Sequence, residues 1–356
     1  MAKKHYIIPV FIPHQGCPHD CVFCNQRKIT GLDTDMTEKE VVDIIENNLS
    51  TMKESSIKEI AFFGGSFTGL DINIQKSFLS IAKKYKDLGK IDKIRLSTRP
   101  DYINKELIEI LKDYNVDIIE LGVQSMDEEV LIRSNRGHSI QDVYKAVELI
   151  KDQDFILGLQ MMVGLVGDTR LKSMYTAKEF IELKPDFVRI YPTLVVKETY
   201  LETLYKNGLY NPLTLDQTIN YVKDILMLFE YNNITVIRIG LQPTDNISFD
   251  KDIVTGPFHP AIRQIIESKI YGDILDMFFS KTNFKSDSLN ITLNNKEISN
   301  FVGYKGENLE KLKLHFRIKV NGNNLTEDII ISDGVNKYKL DKEYFIKEYL
   351  FKHNLI

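Results

Sequence analysis

Cysteine is almost missing from this chain: 356 residues contain three, Cys17, Cys21 and Cys24, and all three fall between Gly16 and Asn25. That scarcity excludes a disulfide framework, which needs an oxidising compartment and usually an even count. Long apolar runs are missing too, so no segment reaches the roughly 20 residues of a membrane span. The start, Met1 to Pro13, has lysines and then only a short apolar run broken by two prolines, with no cleavage site, so no export signal is expected. An excess of positive charge is likewise lacking. A net charge of -4 and a pI of 6.0 exclude a protein that coats nucleic acid by bulk charge, and any such contact has to be local. There is no internal repeat and no low-complexity tract. What remains is the profile of a cytoplasmic enzyme of 41.2 kDa, 43% hydrophobic, long enough for one large domain and a small one.

The cysteine stretch itself reads Gly-Cys-Pro-His-Asp-Cys-Val-Phe-Cys-Asn. Three soft thiolates at these short gaps let one loop hold three corners of a four-iron, four-sulfur cube and leave the fourth iron open to bind a substrate directly. A structural zinc site completed by His14 or His19 draws on the same thiolates, although such sites usually present two separated cysteine pairs.

Along residues 1–245, short β-branched runs alternate with longer amphipathic segments, which predicts a parallel sheet with crossover helices. Strands are expected near Ile7 to Ile12, Glu59 to Phe63, Lys93 to Ser97, Asp117 to Leu121, Ile156 to Met162, Phe187 to Tyr191 and Thr235 to Ile239. Helices are expected at Thr37 to Leu49, opened by a Thr37/Glu40 capping box, and at Asn104 to Asp113. About six strand-helix units suit an α/β fold of the partial (β/α)6 barrel type. Such barrels carry their chemistry at the C-terminal strand ends. The unusual residues fall there: the cysteine loop, Gly64-Gly65-Ser66-Phe67-Thr68-Gly69, Thr98-Arg99-Pro100-Asp101, Gly122-Val123-Gln124-Ser125 and Gly164-Leu165-Val166-Gly167-Asp168-Thr169. Tyr191, Arg189 and Gln160, near the ends of their strands, are candidates for contacting substrate; an inward tyrosine is equally a core residue.

With these residues in view, the chain resembles the radical S-adenosylmethionine (SAM) superfamily, down to the aromatic Phe23 before the last cysteine. Ser97-Thr98-Arg99-Pro100-Asp101-Tyr102, Gly122-Val123-Gln124-Ser125, Asn135-Arg136-Gly137-His138 and Arg189-Ile190-Tyr191-Pro192-Thr193-Leu194-Val195 are similar, in order, to the radical SAM half of the Elongator catalytic subunit, which modifies the wobble uridine of tRNA. They are less closely similar to the oxygen-independent coproporphyrinogen dehydrogenases. The resemblance, over about residues 5 to 245, implies a 4Fe-4S cluster on Cys17, Cys21 and Cys24 and SAM chelated to its open iron. It implies that Gly64, Gly65 and Ser66 meet the SAM amino group and that Arg136 pairs with its carboxylate through a guanidinium fork. Gln124 and Ser125 would reach the ribose or adenine, and Thr98 or Arg99 the pocket wall. An electron from a donor such as flavodoxin or ferredoxin would cleave SAM to methionine and a 5′-deoxyadenosyl radical that takes a hydrogen from substrate. His138 reads as a proton carrier or as a helix-start residue satisfying backbone groups.

Two departures narrow the chemistry. Methylthiolation in the superfamily uses a second cluster, and the ribosomal adenosine methylases use a further cysteine; this chain has none to spare. The Elongator family also continues into an acetyltransferase domain, so chemistry dependent on acetyl-CoA is not expected of these residues.

Residues 246–284 change character to a loop with Pro257 and Pro260 and then a helix-like pattern from Ala261 to Phe279, a helical connector. Residues 285–356 read as strand, helix, Gly303-Tyr304-Lys305-Gly306, helix, two strands and a final helix, the order of a type I KH domain. In that resemblance the two glycines bring backbone N–H groups to RNA phosphates and Lys305 adds charge. The expectation is a radical SAM enzyme modifying an RNA, tRNA or rRNA. A small-molecule substrate such as a tetrapyrrole, oxidised or methylated, is the alternative, and an RNA-binding factor with a regulatory cluster is a third.

Overall fold

The structure, a computed structural model, describes residues 5–12, 21–25, 36–241, 248 and 251–356. These fall into two compact units, Met1–Thr214 with Ile234–Phe258, and Leu215–Asn233 with His259–Ile356.

The first unit is built on β1 (His5–Ile12), β2 (Ile57–Gly64), β3 (Lys93–Thr98), β4 (Ile118–Gln124), β5 (Ile156–Val163), β6 (Phe187–Pro192) and β8 (Thr235–Ile239). All seven expected strands are present, every neighbouring pair is parallel, and the order β1-β2-β3-β4-β5-β6-β8 leaves β1 and β8 as edges, an open barrel. Between them run α1 (Glu38–Leu49), α2 (Ile72–Asp87), α3 (Lys105–Asp113), α4 (Glu128–Arg133), α5 (Ile140–Lys151), α6 (Arg170–Leu183) and α7 (Tyr200–Lys206). The sequence signals act as expected. Thr37 caps α1, its N–H 2.8 Å from Glu40 Oε2 while the Glu40 N–H reaches Thr37 Oγ1 at 3.3 Å, which satisfies two orphan donors at once. Alternation divides the strands: Ile60, Phe62, Ile94, Leu96, Ile119, Leu121, Leu157 and Leu159 are buried on one face, and the opposite face lines the interior.

One small sheet was not legible. β7 (Val195–Val196) pairs antiparallel with β9 (Ile253–Thr255), and the buried Val195, Val196 and Ile253 hold residues past the expected boundary at 245 within the first unit.

The second unit contains α8 (Leu215–Tyr231), α9 (Ile262–Lys281), β10 (Ser288–Leu293), α10 (Ile298–Val302), α11 (Glu307–Lys313), β11 (Arg317–Gly322), β12 (Ile329–Ser332), β13 (Lys337–Leu340) and α12 (Lys342–Lys352). The helix expected as a separate connector is α9, and it packs inside this unit. Lys223 of α8 pairs with Asp273 of α9 and lies 4.8 Å from the ring centre of Tyr349 of α12, whose hydroxyl donates to Asp224 at 3.1 Å. The sheet order is β11-β10-β12-β13, with β10 and β11 parallel and the other pairs antiparallel. The strand-helix-turn-helix-strand-strand-helix order matches the expectation except for β13, whose Lys-Tyr-Lys-Leu has only one apolar face to signal it. Among the described residues no helix is long and apolar enough to cross a membrane.

Candidate active site at the strand ends

Where β1 ends, the chain enters the cysteine loop. Cys17 lies outside the described residues; Cys21 is buried and Cys24 half-buried. The loop is pinned by Val22, whose N–H donates to Ser134 O at 3.1 Å and whose carbonyl accepts from the Leu201 N–H at 2.7 Å. Its side chain packs among Val166, Val195, Leu201 and Tyr210, with Phe23 against the same cluster. Both thiols face one cavity of about 640 Å³, within the size range of small-molecule sites.

The same cavity collects nearly every residue singled out from the sequence: Phe23, Gly64, Gly65, Ser66, Thr98, Arg99, Gln124, Arg136, Gln160, Arg189 and Tyr191. Ser125 is not brought to it. Its hydroxyl accepts from the Asp127 N–H at 3.1 Å and lies 3.4 Å from Thr176 Oγ1. The Gly164 to Thr169 loop serves structure: Asp168 accepts from the Gly164 N–H at 2.7 Å and from the Ser173 hydroxyl at 2.6 Å.

Gly64 follows from the close approach of two strands. Its φ is +100°, and a Cβ there would sit 2.4 Å from Ile12 O, the carbonyl that also accepts the Gly65 N–H at 3.0 Å. Backbone of β2 is thereby fixed against the end of β1, from which the cysteine loop departs. Next to it, Ser66 Oγ accepts from the Arg99 N–H at 3.2 Å and lies 3.0 Å from Thr98 Oγ1. Arg99 is clamped by Asp101 through contacts of 2.9 and 3.0 Å.

Arg136 is 6% exposed. One terminal nitrogen lies 3.2 Å from Cys21 Sγ and the other 2.5 Å from the Gly122 carbonyl. Its Nε is buried and has no hydrogen-bond partner among the described residues, a donor left for an anionic group. His138 points elsewhere, its Nε2 3.2 Å from Val123 O. Burial, with Arg136 and Arg99 close by, pushes its pKa down from 6.5 to about 3. A ring held neutral with one nitrogen tied to the Val123 carbonyl fits the backbone-satisfying reading of His138 better than the proton carrier.

Gln124 has φ +72°, rare outside glycine, at the point where the β4–β5 register shifts between Gly122 and Gln124. That bulge accompanies a contact across the strands, in which Gln160 Nε2 donates to Gln124 Oε1 at 3.3 Å. Sequence patterning carries no signal for it.

Below these residues lies a buried ion network that was not anticipated. Arg95 bridges Glu59 and Glu120 at 2.5 Å each, and Arg189 meets both oxygens of Glu120 at 3.0 Å. Arg189 Nη1 then reaches the Tyr191 hydroxyl at 3.3 Å. Burial raises the Glu59 pKa, partly offset by Arg95 and His5. Gly158 makes room: a Cβ there would fall 2.4 Å from the Phe187 ring and 2.9 Å from Glu120 Cγ. The available signal was a charged residue, Glu59, Arg95, Glu120 or Arg189, in the interior of each of four strands.

Residues 11–176 match the radical SAM superfamily model and residues 185–271 the radical SAM C-terminal domain model. The chain belongs to the radical SAM superfamily, whose members are enzymes that use a 4Fe-4S cluster and SAM. An uncharacterised protein of Methanocaldococcus jannaschii is 32% identical over 63% of this chain and 72% of its own length. The tRNA uridine(34) acetyltransferase of the same organism is 30% identical over 47% of this chain, and human Elongator complex protein 3 is 36% identical over 41%. The chain spans only 35% and 28% of those two relatives. Among solved structures, archaeal Methanocaldococcus infernus Elp3 with an N-terminal deletion superposes with a TM-score of 0.60 at 21% identity, covering 76% of this chain and 63% of that one. That likeness is one of fold.

The residues present fit the family's cofactors: two soft thiols on one cavity wall, a glycine cradle that a Cβ would fill, and an orphaned guanidinium nitrogen beside the thiols. Among the described residues no cluster of three metal-ligating side chains forms, the third cysteine being Cys17.

Proposed function

We propose that this radical SAM enzyme modifies an RNA, with a transfer RNA as the first candidate. The observation that carries the catalytic part is the single cavity shared by Cys21, Cys24, Gly64, Gly65 and Arg136 on one side and Gln160, Arg189 and Tyr191 on the other. The RNA part is supported by the names of the tRNA uridine(34) acetyltransferase and Elongator relatives. With the cluster on Cys17, Cys21 and Cys24, the cofactor pair supplies one-electron cleavage of SAM and abstraction of a substrate hydrogen atom.

The chain's own side chains do the rest. Arg136, whose buried Nε is unpartnered among the described residues, would pair with the SAM carboxylate, Gly64 and Gly65 would give backbone access to its amino group, and Thr98 and Gln124 would line the adenosine side. Arg189, held by Glu120, orients the Tyr191 hydroxyl toward substrate. Phe11, Phe63 and Phe23 supply apolar wall to the chamber.

The test is 5′-deoxyadenosine release from anaerobically reconstituted, reduced protein with SAM, comparing no addition, a small-molecule extract and total RNA from cells lacking the protein. Stimulation by RNA alone, abolished in Cys21→Ala, is expected. Stimulation by the small-molecule extract alone would transfer the substrate to the small-molecule class, and RNA binding without turnover would make the protein a binding factor.

A further inference from the structure

We infer that RNA docks on the open face of the four-stranded sheet in the second unit, through a straight row of side chains that runs Lys319, Asn290, Ser332, Lys337. The inference rests on the RNA reading above and names the surface that reading needs.

The row follows from register. Asn290 of β10 is paired with Lys319 of β11 on one side and with Ser332 of β12 on the other, and Ser332 is paired with Lys337 of β13. Residues paired across neighbouring strands point the same way. The opposite face is the apolar one, where Leu289, Ile291, Leu293, Ile329, Ile331 and Leu340 are buried. The row therefore faces outward, and Lys319, Asn290 and Lys337 are exposed. At about 4.8 Å per strand, its two lysines stand roughly 14 Å apart.

Charge sets this face apart from its surroundings. The outward positions of the four strands carry Arg317, Lys319, Lys337 and Lys339 and no carboxylate. Two of these cations are neutralised at the rim, Arg317 by Asp287 and Lys339 by Asp328, each at 2.7 Å. Lys319 and Lys337 have no carboxylate partner among the described residues. A positive charge at each end, with an amide and a hydroxyl between, suits phosphate and ribose oxygens, which take most protein contacts to nucleic acid through lysine, serine and asparagine. A protein partner fits worse, because lysine is depleted and aromatic anchors enriched in protein interfaces.

The Gly303 to Gly306 turn, the sequence's own candidate for RNA, offers less. Lys311 is paired with Asp276 at 2.5 Å and Lys313 with Glu310 at 2.8 Å, while Lys305 lies 5.4 Å from the centre of the Tyr304 ring. Gly303 has a packing reason to be glycine. A Cβ there would fall 2.8 Å from Asn308 N, beside the buried amide that donates to Ser268 O at 2.8 Å.

The experiment measures binding of 3′-labelled unfractionated tRNA to the full chain across a salt series, for wild type, Lys319→Gln/Lys337→Gln, Lys319→Arg/Lys337→Arg and Lys311→Gln/Lys313→Gln. All substitutions are at exposed positions, and thermal melts check the fold. The glutamine pair on the sheet is expected to weaken binding at least tenfold and to lower the log–log salt slope by about 1.4, two phosphate contacts at about 0.7 each. The arginine pair is expected to retain binding, and the pair beside the turn to stay within threefold. Loss confined to Lys311→Gln/Lys313→Gln would move the surface to the turn. If Lys319→Gln/Lys337→Gln binds tRNA as wild type does, and RNA still stimulates SAM cleavage with unchanged half-saturation, the sheet face is refuted while the RNA reading stands. Failure of wild type to bind tRNA would overturn both this surface and transfer RNA as the candidate substrate.

Discussion

Arg189 engages Glu120 side-on, Nε to Oε2 and Nη2 to Oε1 both at 3.0 Å, while the Oε1 atom also takes Arg95 at 2.5 Å. One carboxylate thus holds two buried guanidinium groups apart, and the outer one carries Tyr191. Glu120→Gln keeps the shape and removes the charge, leaving Arg95 with Glu59 alone and Arg189 with no carboxylate among the described residues. Breaking a buried pair from one side costs about 3–5 kcal/mol. The variant is expected to lose stability of that order in urea unfolding of the first unit, whereas Arg189→Met, which removes a cation from the network, is expected to cost less. Equal losses would show that Glu120 is not the joint of the network.

Gly64→Ala tests the contact between β1 and β2. The new Cβ meets a backbone carbonyl at 2.4 Å with φ at +100°, so the strand must move. Gly89, at φ +68° with nothing within 4 Å, is the control for conformational strain alone. Strain of that kind costs about 1–3 kcal/mol. Gly64→Ala is expected to exceed Gly89→Ala in lost stability and to weaken SAM binding, which Gly89→Ala leaves intact. A Gly64→Ala protein with normal SAM affinity would separate this glycine from the cofactor.

His138 gives a pH signature. Its pKa falls from 6.5 to about 3 on folding, burial being the main cause, so between those values the unfolded chain binds a proton that the folded chain refuses. Stability contributed by this group is complete above pH 6.5 and declines as pH falls toward 3, by up to about 1.4 kcal/mol per pH unit. Replacement by glutamine should flatten that part of the profile, read as the melting temperature from pH 4 to 7.5. An unchanged slope would mean that the histidine titrates freely in the folded protein.

The strands were legible because a parallel sheet buried on one face and enclosing a cavity on the other writes β-branched runs into the sequence; Ile156 to Met162 and Phe187 to Tyr191 are examples. The cavity was legible in outline because its residues follow strands. What could not be read was pairing that has no local period: the two-residue β7 meeting β9 some sixty positions on, and Glu59, Arg95 and Glu120, whose partners are chosen by register. The domain boundary shifted for the same reason. α8 looks like another barrel helix by its apolar pattern, and Lys223, Asp224 and Glu230, which meet Asp273, Tyr349 and Lys342, tie it to the second unit. Cross-strand rows such as Lys319 to Lys337 are invisible until register is known.

Arg136 joins the thiols to the rest of the cavity, and its role can be separated from theirs. Its Nη1 contacts Cys21 Sγ and its Nη2 the Gly122 carbonyl, so Nε is the part of the fork left for a ligand. A charge-assisted hydrogen bond lost from a buried site costs about 1.5–3 kcal/mol. Arg136→Gln in reconstituted protein is therefore expected to bind SAM roughly 10- to 100-fold more weakly by calorimetry while retaining the iron and sulfide content of wild type. Arg136→Lys, with a point charge in place of the planar fork, should recover little of that affinity. If instead the glutamine variant assembles cluster in only a small fraction of molecules, and that fraction binds SAM normally, the contact to Cys21 is the one that matters, and Arg136 is a residue that shapes the cysteine loop.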